Sequence, residues 1–460
     1  MKYLTADFGS TYTKLTAIDA HREEIVGTAT AFTTITTNVM DGFHEAIKRL
    51  EAAIGTFAYD KLLCCSSAAG GLRMVALGLV PELTAKAART AASSAGAKVI
   101  RTFSFEISET EREAIEAIAP DLVLLCGGTD GGNREVIVSN ARKLADTKGD
   151  FSIIVAGNKS AADEVTAILS ASSKNFVITE NVMPQFNQLN IEPAREEIKK
   201  LFIERIVQAK GLSRAQALAA NEIIPTPLAV MNGCELLSKG TGNTEGIGDL
   251  MAIDIGGATT DVYSMSHGHP TLSNVLVKGL PEPYAKRSVE GDLGMRYSLR
   301  SLAEIADIEE VAMEIDFPVE EVQAWIDACR RTPHLLAVEG SREQAIEEAL
   351  ARGAARIATV RHCGSWESVY TPFGQVFALT GKDLSKVTHV IGIGGVIANS
   401  PHPAHILEGV KSEGEGTPHA KPKRPGYLVD KRYIFASMGL LSQENKELAL
   451  KLLKREIVSL

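Results

Sequence analysis

The sequence predicts an α/β protein composed of two similar halves, and three observations support this prediction. A short motif occurs twice, as DFGSTYTK at residues 7–14 and as DIGGATTD at residues 254–261. Strand and helix patterns alternate between residues 98 and 180, which is the rhythm of parallel βαβ units. Residues 238–248 contain four glycines and form the best internal boundary. We therefore expect two halves that meet near residue 245.

The first half contains strand and helix patterns along its whole length. Residues 3–19 predict two strands with a turn at Gly9 and Ser10, and Asp41 is a candidate N-cap for a helix that ends near Ile54. The next segments predict a strand at 61–65 and a helix at 82–95. Alternating elements follow, with strands at 98–103, 121–126, 152–156 and 175–179 and helices near 109–118, 134–147 and 161–171. A charged helix is predicted at 192–210, and another helix opens at Pro225 and Pro227.

The second half begins with a predicted hairpin at residues 250–265. Residues 286–361 are expected to be largely helical, residues 389–393 form a buried strand, and a final helix runs from about 440 to 454. His267 and His269 lie in the turn after the hairpin and are either exposed turn residues or a metal site.

Composition limits the classes of function. The chain has 460 residues, of which 45% are hydrophobic, and a net charge of −9, which argues against nucleic acid or an anionic membrane as the main partner. Its apolar runs are shorter than the ~18 residues that a membrane span needs. The six cysteines lack the spacing of a zinc site or a disulfide framework, and no signal-peptide pattern opens the chain, so we expect a cytoplasmic protein.

The repeated motif has the chemistry of a polyphosphate site. A turn of small residues lets backbone N–H groups approach phosphate oxygens, and the hydroxyls of Ser10, Thr11 and Thr259 can add donors. An aspartate at the end of the first strand repels phosphate but suits Mg²⁺ held through water, because Mg²⁺ prefers oxygen ligands and keeps several waters. Two such hairpins could hold one polyphosphate from both sides.

A third element is the strand at residues 390–393, which runs into Gly394 and Gly395. A double glycine after a strand also suits an ordinary tight turn. Because this double glycine follows the two hairpins in the chain, it also suits a position where a nucleoside lies against the backbone.

These three segments resemble the phosphate 1, phosphate 2 and adenosine motifs of the actin–heat-shock chaperone–sugar kinase superfamily. The resemblance implies an actin-like ATPase fold with two duplicated ribonuclease H-like halves around a nucleotide cleft. It also implies ATP and Mg²⁺ as ligands, with Asp7, Asp254 and Asp261 around the hydrated metal. The residues implied to contact the nucleotide are Gly9, Ser10, Thr11, Thr13, Lys14, Gly256, Gly257, Ala258, Thr259, Thr260, Gly394 and Gly395. The halves would be residues 1–245, with an α/β insertion at about 98–190, and residues 246–460, with a helical insertion at about 286–361.

A narrower resemblance covers nearly the whole chain. Residues 5–17, 66–73, 125–132 and 288–296 look like the accessory protein of glutamate (methylaspartate) mutase, an adenosylcobalamin enzyme. The resemblance implies a reactivating chaperone, a slow Mg²⁺-dependent ATPase that releases damaged cobalamin from mutase subunits. Whether it forms a homo-oligomer stays open. The alternatives are a small-molecule kinase of the same fold, with Glu222 or Asp130 as its base, and a filament-forming actin relative.

The sequence departs from the superfamily at one position. Chaperone ATPases carry a water-orienting Glu directly before a proline-containing helix, but Ile224 occupies that place here. Glu222, two residues earlier, would share a face with Ile224 on a strand and could substitute for it. Without this group, we expect slower hydrolysis and intact nucleotide binding.

Two other glycine-rich turns follow predicted strands. Residues 126–132 (CGGTDGG) form either a tight βα turn or a second ligand or partner site, and Asp130 could instead cap the next helix. Residues 66–71 (SSAAGG) form either a ligand turn or a place of close backbone packing.

Overall fold

The computed structural model describes residues 1–33, 38–67, 72–204, 212–372, 374–414 and 416–460. The chain forms two compact units. Unit 1 comprises residues 1–229 and 279–281, and unit 2 comprises residues 230–278 and 282–460.

The strands, in chain order, are β1 (Lys2–Phe8), β2 (Tyr12–Asp19), β3 (Glu24–Phe32), β4 (Lys61–Ser66), β5 (Arg73–Gly78), β6 (Lys98–Ser104), β7 (Leu122–Leu125), β8 (Ser152–Val155), β9 (Phe176–Ile178), β10 (Ile224–Pro225), β11 (Leu250–Ile255), β12 (Thr260–Met265), β13 (Val275–Lys278), β14 (Ala285–Glu290), β15 (Ser365–Thr371), β16 (Gly374–Thr380), β17 (His389–Ile393), β18 (Gly426–Val429) and β19 (Val458–Ser459). The helices are α1 (Val39–Ile54), α2 (Lys86–Ser94), α3 (Glu109–Ile118), α4 (Glu135–Asp146), α5 (Ala162–Ser170), α6 (Glu192–Phe202), α7 (Ser213–Leu218), α8 (Thr226–Lys239), α9 (Leu299–Ala306), α10 (Ile308–Glu314), α11 (Val319–Arg331), α12 (Arg342–His362), α13 (Gly395–Ala398), α14 (Pro403–Leu407), α15 (Phe435–Leu441) and α16 (Lys446–Glu456).

The main sheet of unit 1 has the strand order β3-β2-β1-β4-β10. β1 and β2 form an antiparallel hairpin, and β3 adds antiparallel to β2. On the other side, β4 runs parallel to β1, and β10 runs parallel to β4. The carboxyl ends of β1, β4 and β10 therefore lie at the same edge of the sheet, next to the turn of the first hairpin.

The main sheet of unit 2 repeats this arrangement. Its order is β14-β12-β11-β17-β18, followed by β19 at the edge. β11 and β12 are an antiparallel hairpin with β14 antiparallel to β12, while β17 and β18 run parallel to β11. The order and directions of five strands thus recur in both units, which confirms the predicted α/β, actin-like ATPase fold.

A second sheet in unit 1 is inserted between β4 and β10. Its order is β6-β5-β7-β8-β9, and all its strands are parallel. The predicted βαβ pattern is confirmed, but the sheet begins at β5, for which no strand was predicted. This strand is only six residues long, and such short apolar runs carry no clear period.

Unit 2 carries two additions. A three-stranded sheet has the order β13-β16-β15. Helices α9 to α12 lie between β14 and β15, within the region predicted to be helical, and they pack in one core with β11 and β17.

The core of unit 1 joins its two sheets. One buried cluster contains Leu4 and Phe8 of β1 together with Met74 of β5 and Leu122 of β7. The opposite face of the inserted sheet forms a separate cluster with α4 and α5. Both faces of this parallel sheet are therefore covered, as expected for strands of nearly continuous apolar sequence.

Two predicted helix ends differ from the structure. Helix α1 is capped by Asn38, whose side chain accepts from the Met40 N–H, while Asp41 lies inside the first turn. Helix α6 ends at Phe202, and residues 205–210 of the predicted helix lie outside the described residues. In the described part of the chain, no helix is long and apolar enough to span a bilayer.

Candidate functional site

The first turn, between β1 and β2, consists of small residues. The Gly9 N–H donates to the carbonyl oxygen of Tyr12 at 3.1 Å and closes the turn. A Cβ atom on Gly9 would lie 2.5 Å from that oxygen, so glycine is required. Within the described residues, the backbone N–H groups of Ser10 and Thr11 have no hydrogen-bond partner. Adjacent N–H groups of this kind can bind the oxygens of an anion such as phosphate.

Asp7 lies next to this turn and is 4% exposed. Its Oδ1 accepts a hydrogen bond from Thr226 Oγ1 at 2.5 Å and a longer one from the Cys65 thiol at 3.5 Å. Its Oδ2 lies 3.5 Å from Nζ of Lys14, the residue paired with Asp7 across the hairpin. Burial, and then the charge of Asp7, raises the pKa of the Cys65 thiol well above its ordinary value, so the thiol stays a neutral donor.

The second turn, between β11 and β12, is also closed by a glycine. The Gly256 N–H donates to the Thr259 carbonyl oxygen at 2.9 Å. The carbonyl oxygens of Gly256, Gly257 and Ala258 all accept hydrogen bonds from the chain that follows β14, including the hydroxyl of Ser298. In the part of the chain that the structure describes, the N–H groups of Gly257 and Ala258 have no partner. This turn therefore also presents N–H groups to a ligand.

Asp261 is paired with Asp254 across the second hairpin. Its Oδ1 lies 2.5 Å from an Nη atom of Arg287 and accepts from Nε at 2.8 Å, while its Oδ2 accepts from the Thr259 hydroxyl. Burial, the largest influence, opposes the charge of Arg287, but Asp261 and Tyr263 together raise the pKa of the guanidinium above its ordinary value. Asp261 is thus engaged by a buried cation, whereas Asp254 lies at the end of its strand beside the turn.

Gly394 lies against the second hairpin. Its φ is +97°, and a Cβ atom there would lie 2.4 Å from the Ile255 carbonyl oxygen and 2.9 Å from Asp254 Oδ1. Gly395 begins α13, and a Cβ atom on it would meet only Tyr433 Oη, at 3.5 Å, and the more distant amide of Asn399. The structure therefore brings the double glycine and Asp254 together within unit 2.

Two predicted nucleotide contacts point into the protein. Thr13 is fully buried, and its hydroxyl lies 3.0 Å from that of Thr33. Thr260 is also fully buried and donates to the Leu293 carbonyl oxygen at 2.7 Å. Their hydroxyls are therefore engaged by neighbouring protein atoms, and the contact of these two residues with a nucleotide stays a prediction.

Glu222 does not lie at the turn. It is exposed, whereas Ile224 is buried, and it precedes β10, while the contact with Asp7 comes after β10. At about 3.3 Å per extended residue, its backbone is on the order of 13 Å from Thr226. Thr226 is the residue from this segment that reaches Asp7. Sequence reasoning missed it, although a hydroxyl residue between a strand and a helix is a recognisable signal.

The loop at residues 126–132 is held by its own neighbours. Asp130 Oδ1 accepts from the Lys159 N–H and from the Asn181 amide, both at 3.0 Å. The side chain of Asn158 binds the backbone of Gly131 and Gly132. These contacts favour the tight βα turn over a ligand site, and Asp130 does not cap α4.

Two other candidate segments are the SSAAGG turn and the histidine pair. In the SSAAGG segment, Ser66 donates to the Phe8 carbonyl oxygen, and residues 68–71 lie outside the described residues. His267 and His269 are exposed and stack with ring centroids 5.5 Å apart. The described residues contain no group of three or more His, Cys, Asp or Glu side chains arranged to hold a metal ion directly.

Asp7 in unit 1 and Asp254 in unit 2 each have side-chain chemistry that fits a hydrated Mg²⁺. Each contributes carboxylate oxygens next to a turn with available N–H groups, and Mg²⁺ is commonly bound by one or two carboxylates together with water and substrate phosphates. Asp261 fits less well, because Arg287 already neutralises its charge.

Comparison with known proteins identifies relatives along the whole chain. A family described as MutL protein matches residues 3–457. Protein MutL of Clostridium tetanomorphum is 45% identical over 460 residues, which cover 99% of each chain. Among solved structures, gluconate kinase from Lactobacillus acidophilus matches with 10% identity, a TM-score of 0.36 and coverage of 100% of this chain and 92% of the kinase. A glycerol dehydratase reactivase matches with 8% identity, a TM-score of 0.35 and coverage of 97% of this chain and 100% of the reactivase. By its match over nearly its full length, the chain belongs to the MutL protein family.

Proposed function

We propose that this protein binds ATP with Mg²⁺ and reactivates an adenosylcobalamin-dependent mutase of the glutamate mutase type by driving release of damaged cobalamin. The observation that carries the nucleotide part is the recurrence of one turn in both units. Each turn has an aspartate near the end of a strand, a closing glycine and N–H groups without a partner among the described residues. Membership of the MutL protein family, and motifs that resemble the mutase accessory protein, support the choice of partner.

In this proposal, each turn contributes the same two functions. The N–H groups of Ser10 and Thr11, and those of Gly257 and Ala258, bind phosphate oxygens. Asp7 and Asp254 hold the water shell of Mg²⁺, which would offset the negative charge of the triphosphate when bound. Nucleotide binding and loss would be coupled to a conformational change of the protein, which is the usual source of work in such proteins.

ATP turnover in this proposal is slow. The position before Pro225 is occupied by the buried Ile224, and the exposed Glu222 precedes β10. Orientation of the attacking water contributes strongly to phosphoryl transfer, so its loss reduces the rate more than the affinity. Slow turnover suits a protein that must stay bound to its partner while cobalamin leaves.

The kinase alternative has less support. A kinase needs a carboxylate base beside the acceptor hydroxyl. Asp130 is engaged by the Lys159 N–H and the Asn181 amide, and Glu222 precedes β10.

The nucleotide part is tested by titrating ATP and ADP calorimetrically with and without Mg²⁺. We expect Asp7→Asn and Asp254→Asn each to weaken Mg²⁺-dependent binding by at least about tenfold, the loss of one charge-assisted contact. Glu113→Gln, which alters an exposed carboxylate on α3, is the matched control and should bind as the unaltered protein does. Absence of nucleotide binding by the unaltered protein would refute this part.

The partner is tested with glutamate mutase that has been inactivated with a damaged cobalamin. Activity should recover when this protein, Mg²⁺-ATP and intact coenzyme are added together, and damaged cobalamin should appear in the filtrate. The Asp7→Asn variant should support neither recovery nor release. Recovery that is independent of ATP would contradict the proposed mechanism, and binding of ATP without any recovery would refute the proposed partner.

A further inference from the structure

Thr226 occupies a fixed place beside Asp7. It is the first residue of α8 and directly follows β10, which pairs with β4 through Ile224 and Cys65. Cys65 is in turn paired with Asp7 across β4 and β1. Three adjacent strands therefore bring Thr226, Cys65 and Asp7 to the same edge of one sheet.

The contact between Thr226 and Asp7 is short. The Thr226 hydroxyl donates to Asp7 Oδ1 over 2.5 Å, which is the length expected for an O–H donor and an ionised carboxylate. The next donor, the Cys65 thiol, lies 3.5 Å from the same oxygen and is intrinsically weaker. Of the two donors on Oδ1, the Thr226 hydroxyl therefore does more to fix this oxygen, while Lys14 lies 3.5 Å from Oδ2.

The backbone at Thr226 has little freedom. Pro225 before it and Pro227 after it restrict the chain. Pro225 also packs closely on the turn that follows α2, because a Cβ atom on Gly96 would lie 2.8 Å from the Pro225 Cβ. A hydroxyl held in this way can fix a carboxylate without first becoming ordered itself.

The corresponding position in unit 2 serves a different purpose. After β18, which corresponds to β10, comes Asp430, whose carboxylate accepts hydrogen bonds from the N–H groups of Ile434 and Phe435 at the start of α15.

We propose that Thr226 is a positioning residue that holds the Asp7 carboxylate in the orientation required by the hydrated Mg²⁺ of a bound nucleotide. The inference rests on the proposed nucleotide function. The hydroxyl that follows β10 thereby has a role in metal affinity. In this same segment, the superfamily resemblance led us to expect a water-orienting carboxylate.

The test compares Thr226→Val, which removes the hydroxyl and keeps the shape, with Thr226→Ser, which keeps the hydroxyl. ADP binding is measured at rising Mg²⁺ concentrations and again in EDTA. We expect Thr226→Val to raise the Mg²⁺ concentration for half-maximal enhancement by about tenfold or more, as for the loss of a hydrogen bond to a charged group. Binding in EDTA should be unchanged, and Thr226→Ser should lie within about twofold of the unaltered protein.

Thr90→Val is the matched control, since Thr90 in α2 uses its hydroxyl only for a helix carbonyl. If the unaltered protein shows no Mg²⁺-dependent ADP binding, the proposed function itself is wrong. If it does and Thr226→Val has the same Mg²⁺ midpoint, only the role of Thr226 is refuted. Should Thr226→Val melt at a lower temperature, Thr226→Ala and Thr226→Ser are compared, and equal midpoints for these two variants also refute the role.

Discussion

The carboxylate of Asp261 lies 2.5 Å from the guanidinium of Arg287, whose side chain is 3% exposed. At the corresponding place in the first hairpin, Lys14 faces Asp7. The two hairpins therefore differ in the charge opposite the strand-end aspartate: unit 1 places a cation opposite Asp7, while unit 2 places a second carboxylate, Asp261, opposite Asp254 and pairs Asp261 with a cation from β14. Asp261 thus differs from Asp7 and Asp254 in being held by a buried arginine.

The ion pair predicts a strong effect on stability. Arg287→Met leaves a carboxylate that is 11% exposed without its cation, so we expect the free energy of unfolding to fall by about 3–5 kcal/mol. Asp261→Asn should be destabilising for the converse reason. The double variant should be less destabilised than the sum of the two single variants, because neither charge remains unpaired. Urea unfolding of all four proteins measures this, and strict additivity would contradict the pairing.

The two glycines after β17 predict different outcomes for the same substitution. Gly394→Ala places a methyl group 2.4 Å from the Ile255 carbonyl oxygen at a φ of +97°. We expect it to lower the free energy of unfolding by at least about 1–3 kcal/mol and to displace Asp254, which weakens Mg²⁺-dependent nucleotide binding. Gly395→Ala meets nothing closer than 3.5 Å and should fold normally. Thermal melting separates the two, and equal melting temperatures would argue against this geometry.

Lys382 predicts a pH dependence of stability. The residue is fully buried, and Nζ donates to the Tyr284 carbonyl oxygen at 2.7 Å and to Ser264 at 3.2 Å. Burial, and then the nearby charge of Lys286, lowers the pKa of Lys382 to about 7. The other ionisable groups around it are Glu282, Asp249 and, through the Ser264 hydroxyl, His362.

The direction in which stability changes with pH follows from proton binding. Between pH 7 and the ordinary lysine pKa near 10.4, the unfolded chain binds a proton at this position that the folded protein does not hold. Stability from this group is therefore complete above about pH 10.4 and declines as the pH falls toward 7, by at most about 1.4 kcal/mol per pH unit. Compared with Lys382→Met, the unaltered protein should gain stability from pH 7 to 9.5 in urea titrations. Parallel curves for the two proteins would exclude this behaviour.

The loop after β7 offers another pair of glycines. A Cβ atom on Gly128 would lie 2.1 Å from the Asn133 carbonyl oxygen, while one on Gly131 would meet open space, although both residues have positive φ. Gly131→Ala should cost about 1–2 kcal/mol for the left-handed backbone alone. Gly128→Ala should cost clearly more and should disturb the loop around Asp130. The ratio of their unfolding free energies, measured in urea, tests whether the loop is the rigid turn described here.

Both hairpins and the alternating strands and helices of the insertion could be predicted from the sequence, because glycine turns and strand periods are local signals. Arg287 could not be predicted as the partner of Asp261, since the pairing depends on the register between β12 and β14. Lys382 is a further case: a lysine in a loop reads as exposed, and only the packing of several strands reveals its burial. The contact of Thr226 with Asp7 could not be predicted either, because it depends on the order of three strands, two of which are far apart in the chain.

The common core beneath the two sheets of unit 1 has a consequence for how this part of the protein unfolds and evolves. Because side chains of β1 and of the inserted β5 and β7 belong to one buried cluster, the insertion is not a separate, flexibly linked domain. Calorimetry should show the two sheets losing their structure in a single cooperative transition. Deleting or exchanging the insertion during evolution would expose an apolar surface beneath β1, so the insertion and the hairpin that carries Asp7 are expected to have been inherited together.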